Sequence, residues 1–568
     1  MDSYRLFTGT VFAVSIFLLA DAWVRDHNEA AKPGIAAPTA ATSGTAAVPT
    51  PVPSAQPGAA AAPAPANAAP GSTPGPLASS QRIVVRTNFL KAEIDTLGGD
   101  LRQVDLRQHR ARDDRGKDFV LLDETKGRTY VAQSGLIGEG LPNHTTIFTA
   151  DQNEYALPAG QKELVVRLRA SAPGGIEVIK SYVFHDSSYV VDVRFDVSNK
   201  GGAEVLPYAY FQFLRDSNPP EGDTKLVPTF AGAEVYTEKD KLTKVSFTDI
   251  VENKAKFPKD SADGWVGFVQ HYFLAAWLPK AGSPREFFLR PVGNGLIAGG
   301  VIVPVGAVSA GGSSSVSVPL YVGPQEREQL KSLAPGLDLA VDYGWLRVLA
   351  VPLFWILSEI HDLVKNWGVA IIILTILIKL AFYPLSAASY RSMARMKVLA
   401  PKLQRLKERY GDDRQKMHEA MIELYKTEKI NPLGGCLPIV VQIPVFIALY
   451  WVLLLSVELR HAPFFFGIDD LSRAAMHGGS FSLADVPYFA LPILMAGTMF
   501  VQTWLNPAPP DPLQARLMKI MPIAFSVFFF FFPSGLVLYW LVNNILSIAQ
   551  QWQITRSMER SKAAHEAS

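Results

Sequence analysis

The sequence predicts a polytopic α-helical membrane protein that carries a large all-β domain outside the membrane. Of the 568 residues, 48% are hydrophobic, and the mean hydropathy is +0.14, which is too apolar for an ordinary soluble enzyme. Apolar runs of membrane-spanning length are concentrated after residue 364. Between residues 81 and 340, in contrast, apolar and polar residues alternate with the period of two that is typical of half-buried β-strands.

The N-terminal segment, residues 1–26, contains an apolar run from Leu6 to Ala22. Small residues at its end would suit a cleaved signal peptide, but an aspartate interrupts that motif, and we expect an uncleaved first membrane anchor instead. Residues 27–80 are almost entirely Ala, Pro, Gly, Ser and Thr. Such a segment cannot bury a core, so it predicts a disordered, extended linker.

Residues 81–340 predict one antiparallel β-sandwich. In Tyr189–Ser198 every odd position is apolar, and Leu164–Arg169 repeats the alternation. Further β-rich runs are Ile83–Phe89, Trp265–Leu278, Gly295–Val305 and Ser315–Val322, with glycine pairs such as Gly98-Gly99 at the expected turns. Aromatic residues at strand spacing favour a core over a ligand cleft; they are Tyr208, Tyr210, Phe211, Phe213, Trp265 and Trp277. The domain contains no recognisable catalytic constellation, and its histidines lack metal-ligand spacing.

The segment that follows leads into the membrane. Residues 342–364 are apolar and aromatic but carry charges and Pro352, so they predict an amphipathic helix lying on the membrane surface. The next run, Gly368–Leu385, has the length of one span, with Trp367 and Tyr383 as interfacial anchors.

A strongly basic segment, residues 386–430, follows this first span of the membrane core. Its apolar residues recur at spacings of three and four, and Gly411-Asp412-Asp413 supplies a break and the next N-cap, so it predicts a helical hairpin. The excess of Lys and Arg places this hairpin in the cytosol. Its charge is consistent with a merely solvated surface or with docking to ribosomal RNA or anionic lipid, and the sequence leaves both open.

The remaining apolar runs predict four more spans, which are Cys436–Val457, Pro487–Leu505, Ile520–Phe532 and Leu536–Gln550. With the N-terminal run this gives six spans, five of them in a core of residues 365–552, and both termini in the cytosol. Residues 553–568 form a basic cytosolic tail. The β-domain then lies outside, in the periplasm.

Lys379 lies inside the Gly368–Leu385 run, and the apolar spans contain no Asp or Glu to neutralise it. A charge at this depth costs a few kcal/mol unless it reaches the headgroups or faces water. Lys379 therefore either snorkels to the cytosolic interface or faces a hydrated groove between helices. Thr375, one turn earlier on the same face, and Gln442 in the next span favour the groove. Such a groove would attract acidic residues of an incoming polypeptide.

Motifs spread over five spans then give a specific resemblance. They are DYGWL at Asp342, GVAIIILTILIKLAFYPL at Gly368, NPLGGC at Asn431, QIPVFIALY at Gln442, VELRHAPF at Val457 and FPSGLVLYW at Phe532. In this order they resemble the YidC/Oxa/Alb family of membrane protein insertases. The resemblance implies an insertase and chaperone for nascent membrane proteins, working alone or with the Sec translocon. It also implies a periplasmic sandwich domain, a cytosolic hairpin needed for activity and, through the basic hairpin and tail, contact with the ribosome.

The resemblance also implies roles for individual residues. Clients are expected to slide along the third and fifth spans while a basic residue in the groove receives their hydrophilic ends. That position corresponds to Lys379, where the family usually has an arginine, and we expect that only the positive charge is required. The residues proposed for the apolar slide are Pro444, Phe446, Phe528 and Phe529. No cofactor, metal or small-molecule substrate is implied, and we expect no enzymatic activity.

Three other classes of protein were weighed against this interpretation. An intramembrane serine protease could use Ser534, but no histidine lies in any span to act as its base. A secondary transporter would explain an intramembrane lysine, yet no inverted repeat or paired broken helix is evident. A periplasmic glycan-binding or scaffold protein would account for the β-domain alone and leaves the basic hairpin unexplained. The transporter is the principal alternative.

Overall fold

The computed structural model describes eight segments of the chain, which are residues 77–112, 114–125, 127–220, 229–410, 413–428, 437–476, 485–505 and 512–566. The predicted N-terminal anchor, nearly all of the predicted linker, the glycine and first aspartate of the predicted hairpin break, and the NPLGGC motif lie outside the described residues.

The β-domain consists of two sheets of ten and nine strands. The first sheet contains β1 (Arg82–Arg86), β2 (Leu90–Asp95), β3 (Asp100–Arg110), β4 (Asp118–Leu122), β5 (Tyr130–Ile137), β7 (Glu154–Ala156), β11 (Tyr208–Asp216), β14 (Asp260–Ser261), β17 (Arg285–Gly293) and β18 (Leu296–Pro304). Its strands follow the order β14-β17-β18-β11-β5-β3-β2-β1-β7, and β4 pairs with β3. The second sheet contains β6 (Thr149–Ala150), β8 (Glu163–Ala172), β9 (Ile176–His185), β10 (Val190–Asn199), β12 (Gly232–Thr237), β13 (Lys241–Ser246), β15 (Trp265–Gln270), β16 (Phe273–Trp277) and β19 (Ser313–Pro324). Its strands follow the order β13-β12-β15-β16-β19-β10-β9-β8-β6.

The predicted antiparallel sandwich is confirmed, with one parallel pair, β1 and β7. Strand β10 shows why the alternation predicted it: its alternate residues from Val191 to Val197 are buried, and it lies between β9 and β19. Aromatic rings join the two sheets, since the Phe213 and Trp277 rings lie 5.6 Å apart and those of Phe211 and Trp277 lie 5.2 Å apart. The prediction that the aromatic residues form a core is correct for most of them, but Tyr208 is 41% exposed.

Lys180 is one of several charged side chains that are buried inside this sandwich. Lys180 is fully buried, and its Nζ donates hydrogen bonds of 2.9 Å to the carbonyl oxygens of Gly98 and Ser134. Gly98 belongs to the predicted Gly98-Gly99 turn and has a φ of 76°, a conformation that glycine adopts without strain. Burial lowers the pKa of Lys180 to about 8. The ammonium therefore links a carbonyl of this turn to a carbonyl of strand β5.

Ten helices accompany the sheets in the described residues. Short helices α1 (Phe247–Val251) and α2 (Arg327–Leu333) belong to the β-domain, and 3₁₀ turns lie at Leu337–Ala340, Gly344–Leu346 and Val457–Leu459. The helical region comprises α3 (Arg347–Val364), α4 (Trp367–Ala381), α5 (Tyr383–Tyr410), α6 (Arg414–Thr427), α7 (Leu437–Leu455), α8 (Val486–Leu505), α9 (Pro512–Phe529) and α10 (Ser534–Glu566). Helix α10 packs against α4, α5, α7 and α8, so it is the central element of this region.

The predicted span Gly368–Leu385 is not one straight helix. The chain bends by 66° between α4 and α5, and the break lies at Phe382. Pro384 lies in the first turn of α5, where proline is tolerated, and it lacks the N–H that would bond back to the last turn of α4 and continue that helix. The end of the predicted span therefore belongs to the helix that continues into the basic hairpin.

By length and composition, one helix of the described residues could cross a membrane alone, α8. The bent pair formed by α4 and the start of α5 would make a second if it counts as one span.

Helix α10 also differs from expectation, because it continues well past Gln550 to Glu566. The two helices of the predicted hairpin are present as α5 and α6. The Asp413 side chain caps α6 by accepting from the Lys416 N–H at 3.1 Å.

Candidate polar site of the helical region

The candidate site begins with Lys379 in the last turn of α4. Asn366 starts this helix by accepting a 3.0 Å hydrogen bond from the Val369 N–H, and the apolar residues that follow bury the face on which Lys379 lies. Lys379 is only 6% exposed, and its Nζ donates to Ser547 Oγ of α10 at 2.8 Å. Among the described residues no carboxylate lies within ion-pair distance of this ammonium.

Helix α10 connects Lys379 with the predicted residue Gln442. Ser547 Oγ donates to the Asn543 carbonyl oxygen, one turn earlier in α10, at 2.7 Å. The Asn543 side-chain oxygen in turn accepts a long hydrogen bond of 3.3 Å from Gln442 Nε2 in α7. Lys379, Gln442, Asn543 and Ser547 thus form one set of polar contacts, which we call the α10 polar cluster.

Two members of this cluster, Asn543 and Ser547, were not predicted from the sequence. A signal for them exists, because they are four residues apart and so share one helix face within the largely apolar run Leu536–Gln550. Thr375, in contrast, was predicted on the face of Lys379 but does not join the cluster. Its buried hydroxyl donates to the Ile371 carbonyl oxygen of its own helix at 2.6 Å.

A second polar contact lies on another side of α10, facing α8. Asn544 Nδ2 approaches Thr498 Oγ1 at 3.5 Å, and Gln551 Nε2 donates to the Leu505 carbonyl oxygen at 3.4 Å. These distances are at the long end of the range for hydrogen bonds, so they add little rigidity. Helix α10 therefore presents polar groups to α4 and α7 on one side and to α8 on another.

The four residues predicted as an apolar slide do not share one surface. Phe446 of α7 is partly buried and stacks on Trp540 of α10, with ring centroids 5.3 Å apart, while Pro444 lies inside α7 and is half-buried. Phe528 is 49% exposed, but Phe529 is only 4% exposed and meets Trp540 edge-on at 4.5 Å. Phe529 is thus buried in this structure, and its role in a client slide stays a prediction. Successive helical residues point about 100° apart, so only one of the two phenylalanines can face outward.

The fold and this site define a class of protein in which a large β-sandwich domain is attached to a helical region that has a buried lysine among its apolar helices. Two family models match the chain. The model described as YidC periplasmic domain matches residues 82–356, and the model described as 60Kd inner membrane protein matches residues 359–562.

Relatives match over nearly the whole chain. A protein of Nitrosospira multiformis named membrane protein insertase YidC is 52% identical, covering 99% of this chain and 98% of its own. A protein of the same name from Methylobacillus flagellatus is 53% identical and covers 99% of both chains. The chain belongs to the YidC family. A crystal structure of an active YidC insertase is 21% identical and covers 83% of this chain and 92% of its own, with a TM-score of 0.38.

Proposed function

We propose that the protein inserts nascent membrane proteins into the inner membrane and assists their folding, with Lys379 as the group that receives hydrophilic segments of the client. The observation that carries this proposal is the buried ammonium of Lys379, which has Ser547 as its hydrogen-bond partner. A cation held in an apolar environment without a counter-ion is costly, and a passing carboxylate of the client would offset that cost.

The α10 polar cluster supports a route for such a segment. Polar groups from three helices meet where Lys379, Gln442 and Asn543 lie, and a long hydrogen bond such as the 3.3 Å contact between Gln442 and Asn543 is readily exchanged for water or a client group. No covalent step is needed. Apolar client residues each gain about 0.3–0.6 kcal/mol in the bilayer, so hydrophobicity drives the chain sideways into lipid while the lysine accommodates its charged part.

The exposed aromatic residues support contact with lipid and client. Phe528 and the partly buried Phe446 remain candidates for the apolar slide, together with Pro444. In the interfacial segment, Trp345 is 81% exposed and Trp355 62% exposed, which supports α3 lying on the membrane surface. We propose the six-span topology with both termini in the cytosol and the β-domain in the periplasm.

Partners beyond the client are proposed from the basic hairpin. Helices α5 and α6 are joined by an ion pair of 2.6 Å between Lys402 and Glu428, and the remaining surface of the hairpin is rich in Lys and Arg. Positive charge on this scale supports docking to ribosomal RNA or to anionic lipid. Cooperation with the Sec translocon is proposed from the family alone.

Reconstitution of the full chain into proteoliposomes tests this function. We expect it to insert a small two-span client whose translocated loop is acidic, and Lys379→Met to slow that insertion by about tenfold, the effect of one lost charge-assisted contact. The matched control is Lys200→Met, which removes a 65% exposed lysine of the β-domain and should leave the rate unchanged. The competing function is a secondary transporter using Lys379. Ion flux across the liposomes without client insertion would support the transporter and exclude the insertase.

A further inference from the structure

The β-domain contacts the helical region through its loops. The turn between β15 and β16 reaches the end of α7, where His271 donates from Nε2 to the Leu454 carbonyl oxygen at 3.0 Å. Beyond β3, the Arg110 carbonyl oxygen accepts from His461 Nε2 at 3.2 Å, and Arg115 pairs with Asp469 at 2.8 Å. The two parts of the molecule are thus joined by polar contacts, and a cavity remains between them.

This junction cavity has a volume of about 70 Å³ and is lined by polar groups from both parts of the molecule, which are Arg112, Gln270, His271, Tyr272, Arg460, Asp470 and Ser472. Phenylalanine rings and Leu454 close its remaining walls. Its size suits one small polar group rather than a segment of polypeptide.

Two cationic side chains line the cavity. Arg112 and Arg460 both line it, and the Arg460 guanidinium is oriented by two rings, with its carbon 5.1 Å from the centre of Phe119 and 5.4 Å from that of Phe273. Asp470 is the one carboxylate lining the cavity among the described residues. It lies 3.2 Å from the His461 ring and accepts 2.8 and 2.7 Å hydrogen bonds from Ser472.

The other titratable groups that line the cavity are His271, Tyr272 and Asp470. Burial and the two arginines lower the pKa of His271 to about 4, so its ring is neutral at neutral pH. The hydrogen bonds from His461 and Ser472 outweigh burial and lower the pKa of Asp470 to about 2, so its carboxylate stays ionised. The cavity is therefore lined by two guanidinium groups, a neutral imidazole and one ionised carboxylate that accepts hydrogen bonds from Ser472.

Gln270 provides an independent indication of a ligand. It is 6% exposed and lines the cavity, and its Oε1 makes no hydrogen bond to any described residue. Gln325 Nε2 donates to the backbone carbonyl oxygen of Gln270 at 2.8 Å. This hydrogen bond fixes the backbone of Gln270 but not its side-chain carboxamide. A buried carboxamide without a partner costs about 1–3 kcal/mol, which a bound polar group would offset. Rotation about its last bond presents the NH₂ group to an acceptor.

We propose that the junction cavity binds a phosphate group. Guanidinium groups match the oxygens of a phosphate in charge and geometry, and the Gln270 carboxamide adds a further donor. Leu454 and the turn that joins α9 to α10 place the cavity at the ends of the apolar helices, where phospholipid headgroups lie in the proposed topology. The headgroup of a phospholipid and free phosphate share this chemistry. The site is separate from the α10 polar cluster and does not depend on the proposed insertase function.

Binding is measured on the full chain in detergent by native mass spectrometry with phosphatidylglycerol, and with diacylglycerol as the lipid that lacks a phosphate. Inorganic phosphate is tested separately through its effect on the thermal midpoint. We expect phosphatidylglycerol but not diacylglycerol to bind, and Arg460→Gln to weaken binding at least tenfold. Arg115→Gln is the matched control, because this 43% exposed arginine lies at the same junction but does not line the cavity.

Gln270→Met separates binding from folding. It keeps both arginines and removes the unsatisfied carboxamide, so we expect an unchanged or higher thermal midpoint without ligand and weaker binding of phosphatidylglycerol. If inorganic phosphate also raises the thermal midpoint, a phosphate group alone is sufficient for binding. If phosphatidylglycerol binds but inorganic phosphate leaves the midpoint unchanged, the ligand is the phosphate of a lipid headgroup. If phosphatidylglycerol and diacylglycerol bind alike, or if Arg460→Gln and Gln270→Met both bind as well as the parent, the proposal is wrong.

Discussion

The hydrogen bond between Lys379 and Ser547 can be tested by the substitution Ser547→Ala. This removes the hydroxyl that accepts from the Lys379 ammonium at 2.8 Å and donates to the Asn543 carbonyl at 2.7 Å. A hydrogen bond to a charged group contributes about 1.5–3 kcal/mol, which is about a 10- to 150-fold change in the equilibrium that holds the ammonium in place. Without it, Lys379 gains access to the cytosolic interface by snorkelling. We therefore expect slower insertion of clients with acidic loops.

The assay is a double-mutant cycle on the insertion rate in proteoliposomes. Four proteins are compared: the parent, Ser547→Ala, Lys379→Met and the double variant. Because the serine acts through the lysine, Ser547→Ala should have no further effect once Lys379 is methionine, and the coupling energy should not exceed about 1.4 kcal/mol, the equivalent of the tenfold loss expected for Lys379→Met. Ser526→Ala is the control, since this buried hydroxyl donates within its own helix. Equal slowing by Ser547→Ala in both backgrounds would refute the reasoning.

The remaining predictions concern stability. Lys180→Met removes the donor of two hydrogen bonds to buried carbonyl groups, so it should lower the free energy of unfolding by about 1–3 kcal/mol in urea titrations. The control Lys162→Met replaces an exposed lysine and should leave this free energy unchanged. Equal effects of the two substitutions would contradict the role of Lys180. The His271 pKa of about 4 lies below that of an unfolded histidine, so its contribution is complete above about pH 6.5 and is lost as the pH falls towards 4. The thermal midpoint should fall over this interval, and less steeply in His271→Gln. In Gly368→Ala the added methyl would lie 2.0 Å from a ring carbon of Phe464. The thermal midpoint should therefore fall by an amount equivalent to about 1–3 kcal/mol. An unchanged thermal midpoint would show that the segment around Phe464 moves away from the methyl at no cost.

Local patterns predicted the fold well where the pattern and the contact are close in sequence. The alternation in Tyr189–Ser198 placed β10 to within one residue at each end, and the Gly98-Gly99 turn lies between β2 and β3 as expected. Asp413 caps α6 because capping depends on only three or four residues. The bend at Phe382 had a local signal in Pro384, but the apolar composition of the run favoured one continuous span.

The candidate site was predicted less completely because its contacts are distant in the chain. The intramembrane charge singled out Lys379, but its partner Ser547 is 168 residues away, and only the packing of α10 on α4 brings them together. Thr375 shares a helix face with Lys379, yet its hydroxyl is satisfied by its own backbone. Phe529 has the same composition signal as Phe528, and the position of Trp540 decides which of them is buried.

The central claim is that the positive charge of Lys379 receives acidic residues of the client. The most direct test measures insertion rates for one client whose translocated loop carries either acidic or neutral residues, using the parent, Lys379→Arg and Lys379→Met. The account predicts that Lys379→Arg inserts both clients as the parent does, while Lys379→Met loses about tenfold for the acidic loop and little for the neutral one. If Lys379→Met inserts the acidic loop as fast as the parent, the lysine has no such role.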